Sequence, residues 1–356
     1  MKGKGAWPMP YMRGSHCFST MIANALADSA WAMSEELVYI LGCGLGFVFH
    51  RENMVCYINS RMHDLEHFFV RHTGARIVWV SHIDAMSMLE TTRDWLAEGR
   101  AVYFYCEARE LPLFAEVIPW HQIHSFGTHA LPVSAVQHSR SVVCCDYLWS
   151  RSFEITFEDL SRATSMYHNS ILQRAAPQGP YTVAFFEPPY GKPKLFGALM
   201  RAIYENVRLF LEPVNNSQGV RALKSLERNL SSLIDLTDST ESLRRELASM
   251  GFMLEKVGTG GGAGRHLYSR GLKQCSEILH IPELSSCARD YAKSGKKWRA
   301  LAHDMIVRSQ SVDPTICWKD LVLSVRMLRN METTNATQLL TVSETLLNRK
   351  GSEHYD

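Results

Sequence analysis

The chain has 356 residues, of which 46% are hydrophobic and 21% charged, and its net charge at neutral pH is +2. This composition fits a soluble globular protein of two domains with a sizeable core. It excludes a largely disordered chain and a strongly basic protein that wraps nucleic acid. Nine cysteines, odd in number and irregularly spaced, read as buried or reactive thiols and not as a disulfide scaffold.

The stretch from Met1 to Arg13 carries Lys2 and Lys4, then Trp7-Pro8-Met9-Pro10 where a signal peptide has its apolar core. Leu37 to Phe49, the longest apolar run, is broken by Gly42, Gly44 and Gly46 and is too short to span a bilayer. The expected location is therefore the cytoplasm, with neither membrane nor nucleic acid as partner. Gly14-Ser15 reads as a turn and cap, and Phe18 to Leu26 is rich in helix formers. Cys17 then falls in a first helical turn, where unpaired N–H groups favour an anion. That matters because a free thiol ionises near about 8.5 and only the thiolate attacks.

Further along, Ser34 to Leu41 and Ser87 to Glu98 have helical patterns, while Arg76 to Val80, Ala101 to Cys106, His129 to Val136 and Ser141 to Cys145 read as strands. Pro177-Gln178-Gly179-Pro180 is a linker signal. Beyond it, amphipathic helices are predicted over Leu195–Phe210, Ser217–Ser231, Ser239–Met250, Gly264–Leu279, Ser286–Ser309, Trp318–Asn330 and Thr334–Leu347, with Asn348 to Asp356 frayed. The expected organisation is an α+β catalytic domain over residues 1–175 and a helical accessory domain over 181–347.

His16-Cys17, Gly127-Thr128-His129-Ala130-Leu131 and Cys145-Asp146-Tyr147 supply a thiol, an imidazole and a carboxylate in that order. In such a set His129 takes the thiol proton, Asp146 holds the imidazole in the useful tautomer, and Cys17 attacks a carbonyl. The plain alternatives are a buried small hydrophobe for Cys17, a structural histidine at a strand start for His129 and a turn cap for Asp146. Other clusters carry weaker chemistry. His63 and His67 stand four apart and suit one helical face, as zinc ligands or, preferably, as solvated residues. His121 and His124 fall on a loop, and Cys144-Cys145 suits core packing. Glu35 reads equally as a helix-start residue or a catalytic one. Glu107, ending a strand, is a candidate amine-binding carboxylate. The glycine-rich run from Gly258 to Gly264 lacks a βαβ setting for a dinucleotide, but Arg265 in the helical turn behind it makes a candidate phosphate contact.

Several of these segments resemble one family. They are Ser15-His16-Cys17-Phe18-Ser19-Thr20, Ser34-Glu35-Glu36 leading into Leu41-Gly42-Cys43-Gly44-Leu45-Gly46-Phe47, Leu96-Ala97-Glu98-Gly99-Arg100, Leu111-Pro112, Gly127-Thr128-His129-Ala130, Asp146 and Leu160-Ser161-Arg162-Ala163. Their order and spacing are similar to the N-terminal domain of butirosin biosynthesis protein H and its relatives. Gly258 to Arg265 followed by Tyr268 resembles the family's helical C-terminal domain. The resemblance implies a papain-like fold related to bacteriocin-leader peptidases. It also implies an acyltransferase of antibiotic and secondary-metabolite biosynthesis, moving an acyl or aminoacyl group from a carrier-protein thioester to an amine through an acyl-Cys intermediate. The implied partners are an acyl or peptidyl carrier protein, whose phosphopantetheine bears the donor, and a small-molecule amine; no cofactor of its own and no metal are expected, and self-association is left open. A thioesterase or cysteine peptidase using the same triad is the first alternative, and an inactive papain-like binding module the second. Papain-like enzymes often carry a glutamine shortly before the cysteine as an oxyanion donor, and Trp7 to Arg13 has none. The Cys17 N–H supplies one donor, and Tyr11, His16 and Ser19 are the candidates for the second.

Overall fold

The computed structural model describes residues 11–52, 55–116, 128–137, 141–165, 179–191, 193–256 and 260–350. Two compact units emerge. One takes the described residues of Met1–Val38, Asp64–Trp120 and Ser125–Lys194, and the other those of Tyr39–His63 and Leu195–Asp356.

The first unit opens with α1 (Cys17–Leu26) and the start of α2 (Glu35–Leu41). It continues with α3 (Leu65–Thr73), β3 (Arg76–Ser81), α4 (Ala85–Ala97) and β4 (Ala101–Glu107). Strands β5 (Thr128–Gln137), β6 (Ser141–Asp146) and β7 (Trp149–Thr156), helix α5 (Phe157–Ser165) and β8 (Thr182–Glu187) complete it. The sheet order is β3-β8-β4-β5-β6-β7, and every neighbouring pair is antiparallel. Successive strand residues point to opposite faces, so β8 shows how the sheet is covered. Phe186 meets Phe69 of α3, and its neighbour Phe185 meets Trp95 of α4 edge-on at 4.7 Å. Helices therefore lie on both faces, and β4 is buried along nearly its whole length. This is an α+β unit with an antiparallel sheet.

The second unit holds a hairpin of β1 (Val48–Glu52) and β2 (Val55–Asn59) and six helices. These are α6 (Leu195–Leu211), α7 (Gly219–Leu236), α8 (Thr240–Glu255), α9 (Arg265–Leu279), α10 (Pro282–Gln310) and α11 (Trp318–Lys350). The buried Asn206 amide in α6 pins the approach to the hairpin: Oδ1 accepts the Leu45 N–H at 2.8 Å and Nδ2 donates to the Leu45 carbonyl at 2.6 Å. Deeper still, the Arg265 guanidinium forks onto the Glu332 carboxylate at 3.0 and 2.8 Å and donates to the Gly46 and Ala263 carbonyls. Glu332 also accepts from Trp298 Nε1 at 2.9 Å and from the Ser294 hydroxyl.

Four features differ from the sequence expectation. The linker expected at 177–180 precedes β8, which lies between β3 and β4, so the first unit runs on to Lys194; Pro177 and Gln178 themselves lie outside the described residues. Residues 39–63, expected in the first domain, cluster with the helical unit. Trp318–Asn330 and Thr334–Leu347 join as one helix, because Met331, Glu332 and Thr333 continue the helical run without a breaker. His63 precedes the α3 N-cap, Asp64, so His63 and His67 do not share a helical face, and His67 instead contacts Asp64 at 3.3 Å. Among the described residues no helix is long and apolar enough to cross a membrane.

Candidate active site

Cys17 is the first residue of α1, and the N-cap is His16 rather than the expected Gly14-Ser15. The His16 imidazole takes the capping place usually held by Ser, Thr, Asp or Asn: its Nδ1 accepts the Ser19 N–H at 3.4 Å. The segment leading into the helix is fastened at several points. Asn24 on α1 accepts the Met12 N–H at 2.9 Å and donates to the Met12 carbonyl at 3.1 Å. The Gly14 N–H donates to the Tyr147 carbonyl at 3.0 Å, tying this segment to the turn that follows β6. Cys17 is 8% exposed. Among the described residues no acceptor engages its N–H.

In an antiparallel pair the start of one strand lies beside the end of the next. His129, second in β5, and Asp146, last in β6, use that geometry: Nε2 and Oδ2 are 2.6 Å apart, both side chains fully buried. A register shift between Cys144 and Asp146 marks a bulge there, a device that re-aims side chains. The second Asp146 oxygen, Oδ1, accepts the Leu148 N–H at 3.0 Å in a tight turn. Asp146 is thus held on both oxygens. Phe114 packs edge-on against the His129 ring at 5.0 Å.

The Cys17 thiol lies close enough to the His129 ring to act on its proton affinity. Since Asp146 takes Nε2, Nδ1 is the nitrogen on the thiol side. Burial works against a charged His129, but the Asp146 charge, the hydrogen bond to Asp146 and the Cys17 thiol outweigh it and raise the imidazole to about 10. The sequence-predicted thiol, imidazole and carboxylate are therefore one contiguous cluster. It can move a proton from sulfur to nitrogen and hold the resulting charge.

The remaining candidates divide. Tyr11 is buried, and burial with the nearby Asp146, Cys145, Cys17 and Glu35 pushes its hydroxyl well above its usual range. Ser19 and His16 are engaged internally, Ser19 donating to Glu35 Oε1 at 2.9 Å and His16 capping α1. Glu107 ends β4, accepts the Arg109 N–H and lies within the field of His129; burial chiefly raises its carboxyl to about 7. Arg265 does not belong here. Its guanidinium is buried and saturated by Glu332 and two carbonyls, which corrects the phosphate-contact reading. The glycine turn is closed to an anion as well, because Glu255 Oε2 takes the Gly262 N–H at 2.9 Å. Gly127, His121, His124, Gly258 and Thr259 lie outside the described residues.

Glu35 is the residue that sequence reasoning underrated. It stands at the start of α2, and its carboxylate accepts the Ser15 and His16 N–H groups and the Ser19 and Thr20 hydroxyls. The signal available was a carboxylate paired with small hydroxyl residues across a glycine turn, which carries no fixed spacing.

Residues 16–146 match the family model described as butirosin biosynthesis protein H, N-terminal. This segment belongs to the butirosin biosynthesis protein H N-terminal family. The matched segment of the family domain starts one residue before Cys17 and ends on Asp146, so it encloses the whole cluster. Residues 172–339 match a separate domain of unknown function, DUF4872. No curated protein matches the chain.

Proposed function

We propose that the protein is a cysteine-dependent acyltransferase of natural-product biosynthesis, acting on a carrier-bound thioester and an amine. The observation that carries this reading is the set of Cys17 at the head of α1, His129 within the influence of its thiol, and Asp146 at 2.6 Å from the ring. Membership of residues 16–146 in a family named for butirosin biosynthesis supports an enzyme of antibiotic biosynthesis. A papain-like scaffold is the fold this reading requires, and the nucleophile at a helix start with His and Asp on adjacent strands supports it. The cytoplasm, where carrier proteins meet their partners, is the proposed location.

In the first step the proton of the Cys17 thiol rests on His129 Nδ1, whose proton affinity is raised, and Cys17 Sγ attacks the thioester carbonyl carbon. The carbon–sulfur bond to the carrier's pantetheine then breaks, the departing sulfur takes the proton from His129, and an acyl-Cys17 remains. In the second step the amine nitrogen attacks that carbonyl and Cys17 Sγ leaves. The proton shed by the amine passes through His129 to the sulfur, so the products are an amide and the free thiol. Asp146 stabilises the imidazolium throughout. The oxyanion is met by the Cys17 N–H and, as second donor, by Tyr11, whose hydroxyl lies within the field of both Cys17 and Asp146. Glu107, which ends β4 opposite Thr128 and lies within the field of His129, is the proposed contact for the incoming amine.

The helical unit is assigned to donor selection. Lys296 and Lys297 on α10 are exposed, whereas Lys293 pairs with Asp290 and Arg299 with Glu255. A basic helix face of this kind suits an acidic carrier protein.

Intact-mass measurement with a panel of acylated carrier proteins, with and without amines, tests the reading. A mass gain equal to the acyl group, discharged as amide when amine is added, is the expected result. Discharge to the free acid regardless of amine replaces transferase by hydrolase, and absence of any adduct overturns the reading.

A further inference from the structure

The site has a second layer that acts through Cys17 without touching substrate. Glu35 gathers four donors from one short stretch: the N–H of Ser15 at 3.0 and 2.9 Å, the N–H of His16 at 2.8 Å, and the hydroxyls of Ser19 and Thr20, each at 2.9 Å. Two of these donors precede Cys17 and two follow it. Gly14 lets the wrap close, since a Cβ there would overlap Thr20 Oγ1 and Glu35 Oε2. With the Ser19 N–H taken by His16, the Ser15, His16 and Ser19 N–H groups have internal acceptors, and among the described residues the Cys17 N–H is left out of that set.

The geometry points to Glu35 as a positioning residue that folds the Cys17 turn around one carboxylate, fixing the sulfur against His129 and reserving the Cys17 N–H for the substrate oxygen. A carboxylate is an unexpected group at this place, because it competes with the thiolate for the positive end of α1. Its four donors, two of them backbone N–H groups, disperse that charge. The groups that act on the thiol are His129, Tyr11, Tyr147 and Cys106, with Asp146 behind His129 and Glu35 behind the turn.

This inference rests on the reading of Cys17 as nucleophile, and its test needs no thioester. Cys17 alkylation by iodoacetamide at neutral pH, quantified on the Cys17 peptide, is compared between wild type, Glu35→Gln and Glu35→Met. The methionine removes every acceptor, whereas the glutamine keeps a carbonyl where Oε1 takes most of the bonds. The Met variant should alkylate about tenfold more slowly or worse, while folding normally by circular dichroism. The Gln variant should stay near wild type. Acyl-enzyme formation from a small thioester should follow the same order, with KM for the thioester unchanged. A folded Met variant with wild-type alkylation overturns the inference, as does a Gln variant no better than Met. If Glu35→Met does not fold, Ser19→Ala combined with Thr20→Val strips two donors and should give a smaller loss of the same kind; no loss would overturn the inference. Wild type that alkylates quickly but never forms an acyl-enzyme sinks the transferase reading and leaves the Glu35 comparison intact.

Discussion

Among the described residues two ion pairs are buried equally deeply, and their surroundings differ. Arg265 and Glu332 in the helical unit are held by each other, by the Gly46 and Ala263 carbonyls on the guanidinium, and by the Ser294 hydroxyl and Trp298 Nε1 on the carboxylate. The guanidinium stays charged at any physiological pH. His129 and Asp146 in the α+β unit are just as buried, yet one member is an imidazole that titrates and its second nitrogen meets a thiol. Burial of charge alone therefore does not mark a site. A titratable partner in contact with a nucleophile does.

The comparison can be broken by substitutions on each side. The largest effect on chemistry is expected from Cys17→Ala and His129→Ala, each lowering acyl-enzyme formation by about a thousandfold or more with circular dichroism unchanged. Asp146→Asn keeps the base but loses its orientation, and a drop of about a hundredfold is expected in the same assay. Glu332→Ala should do the reverse. It leaves a buried guanidinium unpaired and should cost about 3–5 kcal/mol in urea unfolding, with Cys17 alkylation unchanged while the protein is folded. Equal loss of alkylation and stability would erase the distinction between the pairs.

Two smaller effects sharpen it. His129 is raised in the folded state to about 10, above the usual histidine value near about 6.5, so the folded chain binds the extra proton between those limits. Stability from the pair is full below the lower value and declines as pH rises through the window. A melting temperature that falls between those pH values in wild type, and falls less in Asp146→Asn, is expected. No comparable decline belongs to Arg265–Glu332. Reversing Lys296 and Lys297 to Glu should weaken use of a carrier-bound donor by about three- to tenfold at low salt and less at high salt, sparing a small thioester.

The Cys17, His129 and Asp146 cluster was legible in the sequence because it is written in residue types: a cysteine before a helical run, and a histidine and an aspartate in or beside strand-like segments. The central strands β4, β5 and β6 were legible through their Val, Tyr and Phe content. β8 was hidden by its place just after a proline-glycine linker signal, although Thr182–Glu187 is strongly apolar. The β1–β2 hairpin was masked by His50, Arg51 and Glu52, which interrupt its pattern. Arg265 was misread for a different reason: its partner lies 67 residues away, and no local pattern reports such a contact. Glu35 was obscured similarly, since its donors lie 15 to 20 residues upstream.

Cys17 is the proposed nucleophile among nine cysteines, and competitive alkylation asks whether it is the most reactive of them. Cys317 is exposed, whereas Cys17 is nearly buried. Burial pushes Cys145 and Cys287 up to about 11 and Cys275 to about 12, and raises Cys56, Cys106 and Cys144 as well. By access alone Cys317 should react first. With limiting iodoacetamide at pH 6 to 7 and peptide mapping, Cys17 should be labelled ahead of Cys317, and His129→Ala should reverse the order. Labelling led by Cys317 in the wild-type protein would contradict the assignment of Cys17.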